Sequence, residues 1–223
     1  METFKNHPGG YSHQLLKRLE DVLLWSEENL REPRVNCLEA QGMSIEPPDG
    51  PNNLRMMRAI TTLGLTHSDG YVLYTDGVRD FGPPYPHHHH WWHPFWDANL
   101  GRPVGEKAQP HQNVEGLFIR EFTNGWAVYN RSGQAQTITL PSSAVSVSDR
   151  GNNAASMTHQ LPDLDGEIYL SARSFADVNS DGMVNVLDLV QVANNFGQST
   201  PDPNGDGVVN ILDLVFVVQQ FSE

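Results

Sequence analysis

Apolar residues near the start of the chain recur at helical spacing. Leu15, Leu16, Leu19, Val22 and Leu23, with Lys17, Arg18, Glu20 and Asp21 between them, predict an amphipathic helix from Tyr11 to Asn29. Arg31-Glu32-Pro33 breaks it, and Val35–Leu38 predicts a short strand ending at Glu39, before a Pro- and Gly-bearing loop through Gly50. A second helix is expected over Asn53–Leu63, with Leu54, Met57 and Ile60 on one face, and a second strand over Gly70–Thr75. Helix–strand–helix–strand is the order of an α/β unit. Two strands cannot make a buried parallel sheet, so either another chain completes it or Met1 starts inside a larger domain.

From Gly116 the period changes to two. Leu117–Phe122, the turn Thr123-Asn124-Gly125 and Trp126–Asn130 predict a hairpin on an Asn-Gly signal. Gln136–Leu140, Ala144–Val147, Met157–Leu161 and Glu167–Leu170 continue the series, so a small antiparallel β-sandwich is expected. The stretch Asp76–Gln112 has neither period, yet Tyr85, Trp91, Trp92, Phe95 and Trp96 make it too aromatic for a disordered linker.

The last 45 residues, Asp177 to Phe221, match themselves at an offset of 25, with 12 of 21 positions identical, which identifies a tandem repeat. Each copy has the oxygen pattern of a twelve-residue calcium loop, with ligands at positions 1, 3, 5, 7, 9 and 12 and Gly at position 6. In the first copy these are Asp177, Asn179, Asp181, the Met183 carbonyl, Asn185 and Asp188; in the second, Asp202, Asn204, Asp206, the Val208 carbonyl, Asn210 and Asp213. Both loops end in Asp, one methylene shorter than the usual Glu, and Ser174-Phe175-Ala176 is too short to be an entering helix. The unit is therefore a loop followed by a helix, twice, binding two calcium ions. A segment this small buries little apolar surface, so a metal is expected to hold it folded.

The duplicated loop–helix with Asp at position 12 resembles a dockerin, the calcium-dependent module by which bacterial polysaccharide-degrading enzymes attach to cohesin domains. The resemblance implies a cohesin-like partner and an extracellular or cell-surface setting. At loop positions 10 and 11 that family often holds a Ser-Thr type pair, whereas this chain has Val186-Leu187 and Ile211-Leu212. These four residues are the expected partner interface. The two helices carry more apolar surface than one stripe can bury, with Leu187/Leu212, Leu189/Leu214, Ala193/Val218 and Phe196/Phe221 expected in a mutual core, and Val186, Val190, Val192, Ile211, Val215, Phe216 and Val217 in surplus.

A second resemblance, carried by VNCLEAQG, MMRAITTLGLTHSDGYVLYTDG, FWDANLGRP and REFTNGWAVYN, is to the C-terminal end of a TIM-barrel glycoside hydrolase with an appended β domain. It implies that Glu39, at the end of a barrel-type strand, holds the place of a nucleophile. Glycoside hydrolysis needs two carboxylates, and nothing in the spacing of Asp69, Asp76 or Asp97 supplies the second, so turnover by this chain alone is not expected. Trp91, Trp92 and Trp96 offer flat faces to a sugar ring, which makes a polysaccharide a candidate ligand. His87–His90 with His93 offer imidazoles to a transition metal, but four consecutive residues cannot all point at one ion.

The fold expected is a multidomain α+β chain. It would comprise the end of a (β/α) barrel (1–80), an aromatic, His-rich loop (81–113), a small antiparallel sandwich (114–170), a linker (171–176) and an all-α duplicated calcium module (177–223). The net charge is −13, and residues 175–223 supply seven acidic and no basic side chains of it. No basic stripe follows a phosphate backbone, so nucleic acid is excluded as a partner. No apolar run of 18 residues provides a transmembrane segment, and the start lacks a signal-peptide core. A single cysteine, Cys37, excludes a disulfide framework and is expected to be buried. The functional expectation is calcium-dependent attachment of a carbohydrate-active protein. The alternatives are a glycosidase completed by another chain and a calcium-stabilised structural module without a cohesin.

Overall fold

The computed structural model describes residues 11–33, 35–43, 46–75, 91–149, 155–172, 175–179, 181 and 184–221. His87–His90, Asp76, Gly182 and Met183 lie outside them. The chain divides into two compact units, Met1–Ser171 and Ala172–Glu223.

In the first unit, α1 (His13–Asn29) starts at Ser12, whose hydroxyl accepts the Leu15 N–H, and buries Leu16, Glu20 and Leu23. Helix α2 (Pro51–His67) begins with Pro at its first turn and is buried over most of its circumference. It needs that much burial because it lies between elements on several sides: α1, the parallel pair β1 (Cys37–Gln41) and β2 (Tyr71–Thr75), and the antiparallel strands β4 (Leu117–Phe122), β5 (Gly125–Asn130) and β8 (Asp165–Ser171). Its buried hydroxyls are satisfied within the helix, Thr62 and Thr66 donating to the carbonyls four residues earlier at 2.8 and 2.7 Å. Gly166 on β8 permits the approach, since a Cβ there would lie 1.7 Å from Thr62 Oγ1.

With β3 (Gln109–Pro110), β6 (Gln136–Ser146) and β7 (Ser156–Leu161), the six antiparallel strands form a single sheet in the order β3-β4-β5-β8-β6-β7. The central strand β5 is buried at every position. Ala127 and Tyr129 face one core with α2, β1 and β2; Trp126 and Val128 face another with Ile138, Leu140 and Leu161. Leu117 and Ile119 of β4 share the second core with Leu161 of β7 at the far end of the strand order, so the sheet curls on itself, helped by a register break in β6 between Thr139 and Ala144.

The expected fold class is corrected by this topology. The described residues form a mixed α+β structure with four helices, a two-stranded parallel sheet and a six-stranded antiparallel sheet. They do not form a sandwich beside a barrel end, because period-two patterning reveals each strand but not which strand it pairs with. Ala144–Val147 is not a separate strand but largely the continuation of β6. Cys37 is exposed, its strand having only one neighbour. Nor is all-α a fair description of the chain or of its loop-rich second unit.

That unit holds α3 (Val186–Asn194) and α4 (Ile211–Gln219), and the two copies also pair through backbone bonds from Gly197 N–H to the Val209 carbonyl and from Val209 N–H to the Gln198 carbonyl, both 2.8 Å. Its core is Ala176, Val192, Val209 and Val217, flanked by Val178, Val184, Leu189, Leu214 and Phe216. Of the pairs expected there, only Leu189/Leu214 takes part; Leu187/Leu212, Ala193/Val218 and Phe196/Phe221 are exposed. Asp188 and Asp213 are buried on the inward face, which sets each helix's rotation and brings the residue four positions on, Val192 or Val217, inward with it.

Charged ties join helices to sheet in the first unit. Arg131 after β5 clamps Glu20 of α1 through Nε and, at 2.7 Å, Nη2; Arg58 of α2 clamps Asp165 of β8 at 3.0 and 2.7 Å. Breaking a buried pair strands its partner. Glu20→Ala should therefore cost about 3 kcal/mol in urea unfolding, and Glu20→Leu combined with Arg131→Met should cost less than either single change. A double variant as damaging as the sum of the singles would show that the pair is not coupled. His67 is fully buried against Phe118 and Tyr129. Burial, with Arg131 and Arg120 nearby, pushes its imidazole from 6.5 down to about 4. Its stabilising contribution is whole above pH 6.5 and is lost as the pH falls from there through about 4. The urea midpoint of the first unit should drop between about pH 7 and pH 5, and His67→Phe should flatten that drop.

Candidate metal centre and aromatic cleft

The two repeats build the same scaffold. In each, Asn at position 9 caps the following helix: Asn185 Oδ1 accepts the Leu187 N–H at 2.8 Å and Asn210 Oδ1 accepts the Leu212 N–H at 2.7 Å. The position-12 aspartate reaches back, Asp188 accepting from the N–H groups of Asn179 and Asn185 at 3.0 and 2.8 Å, Asp213 from those of Asn204 and Asn210 at 3.2 and 2.8 Å. Each helix is thereby closed by a reciprocal capping box. Because Oδ1 of Asn185 and Asn210 is committed to capping, position 9 would reach a cation through water, as is common at that position.

Inside the second loop, Asp202 accepts from Gly205 and Asp206 N–H through Oδ1 and from Gly207 N–H through Oδ2, at 2.9, 3.2 and 2.7 Å. Gly207, at position 6, has φ +95°, a left-handed conformation that glycine adopts without a Cβ clash. Asp206 is held below the ordinary carboxylate range by the Val208 N–H and then by the amides of Asn210 and Asn204. The first loop repeats what its described residues allow: Asp181 N–H donates to Asp177 Oδ1 at 3.1 Å and to Asn179 Oδ1 at 2.8 Å.

The residues fit a hard divalent cation. Asp202, Asp206 and Asp213 each bring one carboxylate oxygen to within 4.8 Å of the others. Asp213 is buried with two N–H donors, and a carboxylate has about four acceptor sites, so its oxygens retain coordination capacity. No Lys or Arg occurs in residues 175–223 to neutralise the cluster. All-oxygen ligands of this charge suit calcium. The Met183 carbonyl expected at position 7 of the first loop lies outside the described residues; its counterpart on Val208 accepts from Asn210 Nδ2 at 2.9 Å. The capping role of position 12 went unread in the sequence, although its signal, Asn-x-x-Asp ahead of an apolar run, is present in both copies.

The expected interface residues project outward: Val186 and Ile211 are each 61% exposed, Leu187 and Leu212 each 57%.

In the first unit, Trp91, Trp92 and Trp96 come together on one cleft of about 580 Å³ whose other walls include Tyr71, Val72 and Phe122. Trp92 meets Trp96 edge to face at 5.4 Å, and their indole N–H groups donate to Asp97 (2.8 Å) and Thr61 (3.1 Å). His93 is buried beneath them against Tyr74 and Trp96, with neither ring nitrogen hydrogen-bonded to a described residue, and burial lowers its pKa. Glu39 sits exposed on β1 opposite Leu73 and is not among the residues lining that cleft. Asp69 pairs with Lys107 (2.6 Å) and Arg120 (2.7 Å), and Asp97 holds Trp92, so both serve structural partners.

No family model, curated protein or solved structure matches the chain. Among the described residues, no helix is long and apolar enough to cross a membrane.

Calorimetry on the full chain should count two calcium sites. Asp206→Ala should remove one of them while leaving the helical circular dichroism of the apo chain in place. Asp213→Ala should remove the same site and also fray α4, losing about 1 kcal/mol of capping. Two sites persisting in both variants would exclude these loops as ligands.

Proposed function

We propose that the chain attaches a carbohydrate-active protein to a cohesin-like partner in a calcium-dependent manner, as the dockerin resemblance implies. The observation that carries this proposal is the equivalent placement of two apolar pairs, Val186-Leu187 and Ile211-Leu212, exposed at the start of helices capped by the candidate calcium loops. Bound calcium would neutralise the convergent carboxylates. Asp188 and Asp213 hold the first turn of each helix through their N–H partners, and that turn presents the apolar pair. Loop order and partner surface are thus coupled through one side chain per repeat. An exposed apolar patch of this kind is how a partner interface is commonly built.

The Trp91, Trp92 and Trp96 cleft supports the carbohydrate side of the proposal, since Trp91 and Trp92 are 50% and 65% exposed. Calcium in the extracellular range, about 1 mM, would saturate loops of the extracellular class. At about ten times its Kd such a site adds about 1.4 kcal/mol to the folded state, so the proposed calcium dependence suits a setting outside the cell or on its surface.

Val186→Asp with Ile211→Asp should abolish capture of a cohesin-type domain in a pull-down while calcium affinity stays within about threefold, the side chains being off the ligand path. Chelation of the wild-type chain should release the partner. A double variant that instead loses calcium binding or unfolds residues 177–221 would assign these side chains to the core. Retained capture would remove them from the interface.

A further inference from the structure

A second cavity, of about 480 Å³, lies in the first unit where β7 and β8 separate. The two strands leave a tight turn but do not pair. Strand β6 runs between them, paired with β7 over Gln136–Thr139 and again at Ala144, and with β8 only over Ala144–Ser146, with Val147 N–H reaching the Ile168 carbonyl at 2.9 Å. The first half of β8 therefore has β5 on one edge and this cavity beyond the other. Asp165, Glu167 and Tyr169, alternate residues on one face of β8, line it.

Charge bookkeeping narrows the ligand. Asp165 is committed to both arms of Arg58 and to the Gly166 N–H at 2.8 Å, so the pair leaves neither a carboxylate for a cation nor a guanidinium for an anion. Glu167 takes the Ser148 hydroxyl and the N–H groups of Ser148 (3.3 Å) and Ile168 (2.9 Å), and burial raises its pKa, which disfavours its charged form. Asp149 lies exposed at the rim, where water screens it. The lining side chains with hydrogen-bonding capacity left over are those of Tyr169 and Gln160. Tyr169 is 1% exposed, and its hydroxyl makes no hydrogen bond to any described residue. His159 lies against its ring, tilted by 40° with centroids 4.4 Å apart, and points Nε2 at the Ser156 carbonyl (2.8 Å). Gln160 donates its amide to Thr137 at 2.9 Å, which leaves its side-chain carbonyl free to accept. The Tyr169 hydroxyl is not sealed off from solvent but opens onto the cavity, where a ligand oxygen can take its hydrogen bond.

We propose that this cavity is a binding site for a neutral, polyhydroxylated ligand of mono- or disaccharide size, bonded by the Tyr169 hydroxyl and the Gln160 side-chain carbonyl, with the His159–Tyr169 rings as its wall. The site is separate from the Trp cleft and from the calcium loops, and it does not rest on the attachment proposal. Its volume falls within the range of small-molecule pockets.

The test uses the full chain carrying Trp91→Ala and Trp92→Ala, so that the other cleft's exposed rings are gone, with EDTA present so that calcium plays no part. Cellobiose, maltose and xylitol serve as neutral probes, glucuronate as an anion and spermidine as a cation, in calorimetry near neutral pH. At least one neutral probe should bind at one site per chain, the charged probes at least about tenfold more weakly. Tyr169→Phe keeps the ring and should weaken binding about five- to tenfold at an unchanged melting temperature. Gln160→Ala, at an exposed rim position, gives a second readout should the Phe variant prove unstable, and should also weaken binding severalfold. Failure of every neutral probe to bind below ~10 mM, equal affinity for a charged probe, or affinity unchanged in both variants would overturn the proposal.

Discussion

A carboxylate removed from water with no cation beside it is costly unless something compensates it, and the second unit contains two, Asp188 and Asp213, buried in a segment with no basic side chain. Their two N–H partners each offset part of that cost by closing the helix start. A cation in the loop, as proposed above, would offset the remainder. The same side chain therefore fixes helix rotation, directs Val192 and Val217 into the core and leaves Val186, Leu187, Ile211 and Leu212 outside. Core, loop and candidate interface in that unit follow from one buried group per repeat.

The first unit meets a comparable demand with its own cations. Arg131 reaches Glu20, Arg58 reaches Asp165, and Lys107 ties Glu27 to Asp69. Burial alone would raise the Glu27 carboxyl, but Lys107, Ser68 and Asn36 together hold it down at about 2. These ties span the interval between helices and sheet, where apolar packing alone would leave the register of one layer on the other loosely specified. One of them, Arg58 with Asp165, stands in the wall of the β7–β8 cavity and neutralises a carboxylate there.

The local elements were legible in the chain because each depends on its own residues. The helix around Leu16 and Leu23, the Asn124-Gly125 hairpin and the strand at Tyr71–Thr75 all stand where periodicity and turn chemistry put them. The oxygen pattern of the two repeated loops was legible for the same reason, being a matter of spacing within twelve residues. What spacing could not carry was pairing between distant strands. Gln136–Leu140 and Ala144–Val147 looked like two strands of a sandwich, whereas a register break lets one strand serve two neighbours.

By itself, the sequence determined the repeat, the spacing of its carboxylate and amide oxygens, its lack of positive charge and the places where strands and helices begin. Those are consequences of composition and short-range stereochemistry. The tertiary structure alone decided that Leu187 and Leu212 lie outside while Val192 and Val217 lie inside, since apolar residues nearly encircle both helices and only the buried aspartate sets their rotation. It also decided that Asp165 and Arg58, 107 positions apart, neutralise each other beside Tyr169. Contacts at that separation depend on how β8 packs against α2, and no local pattern records that.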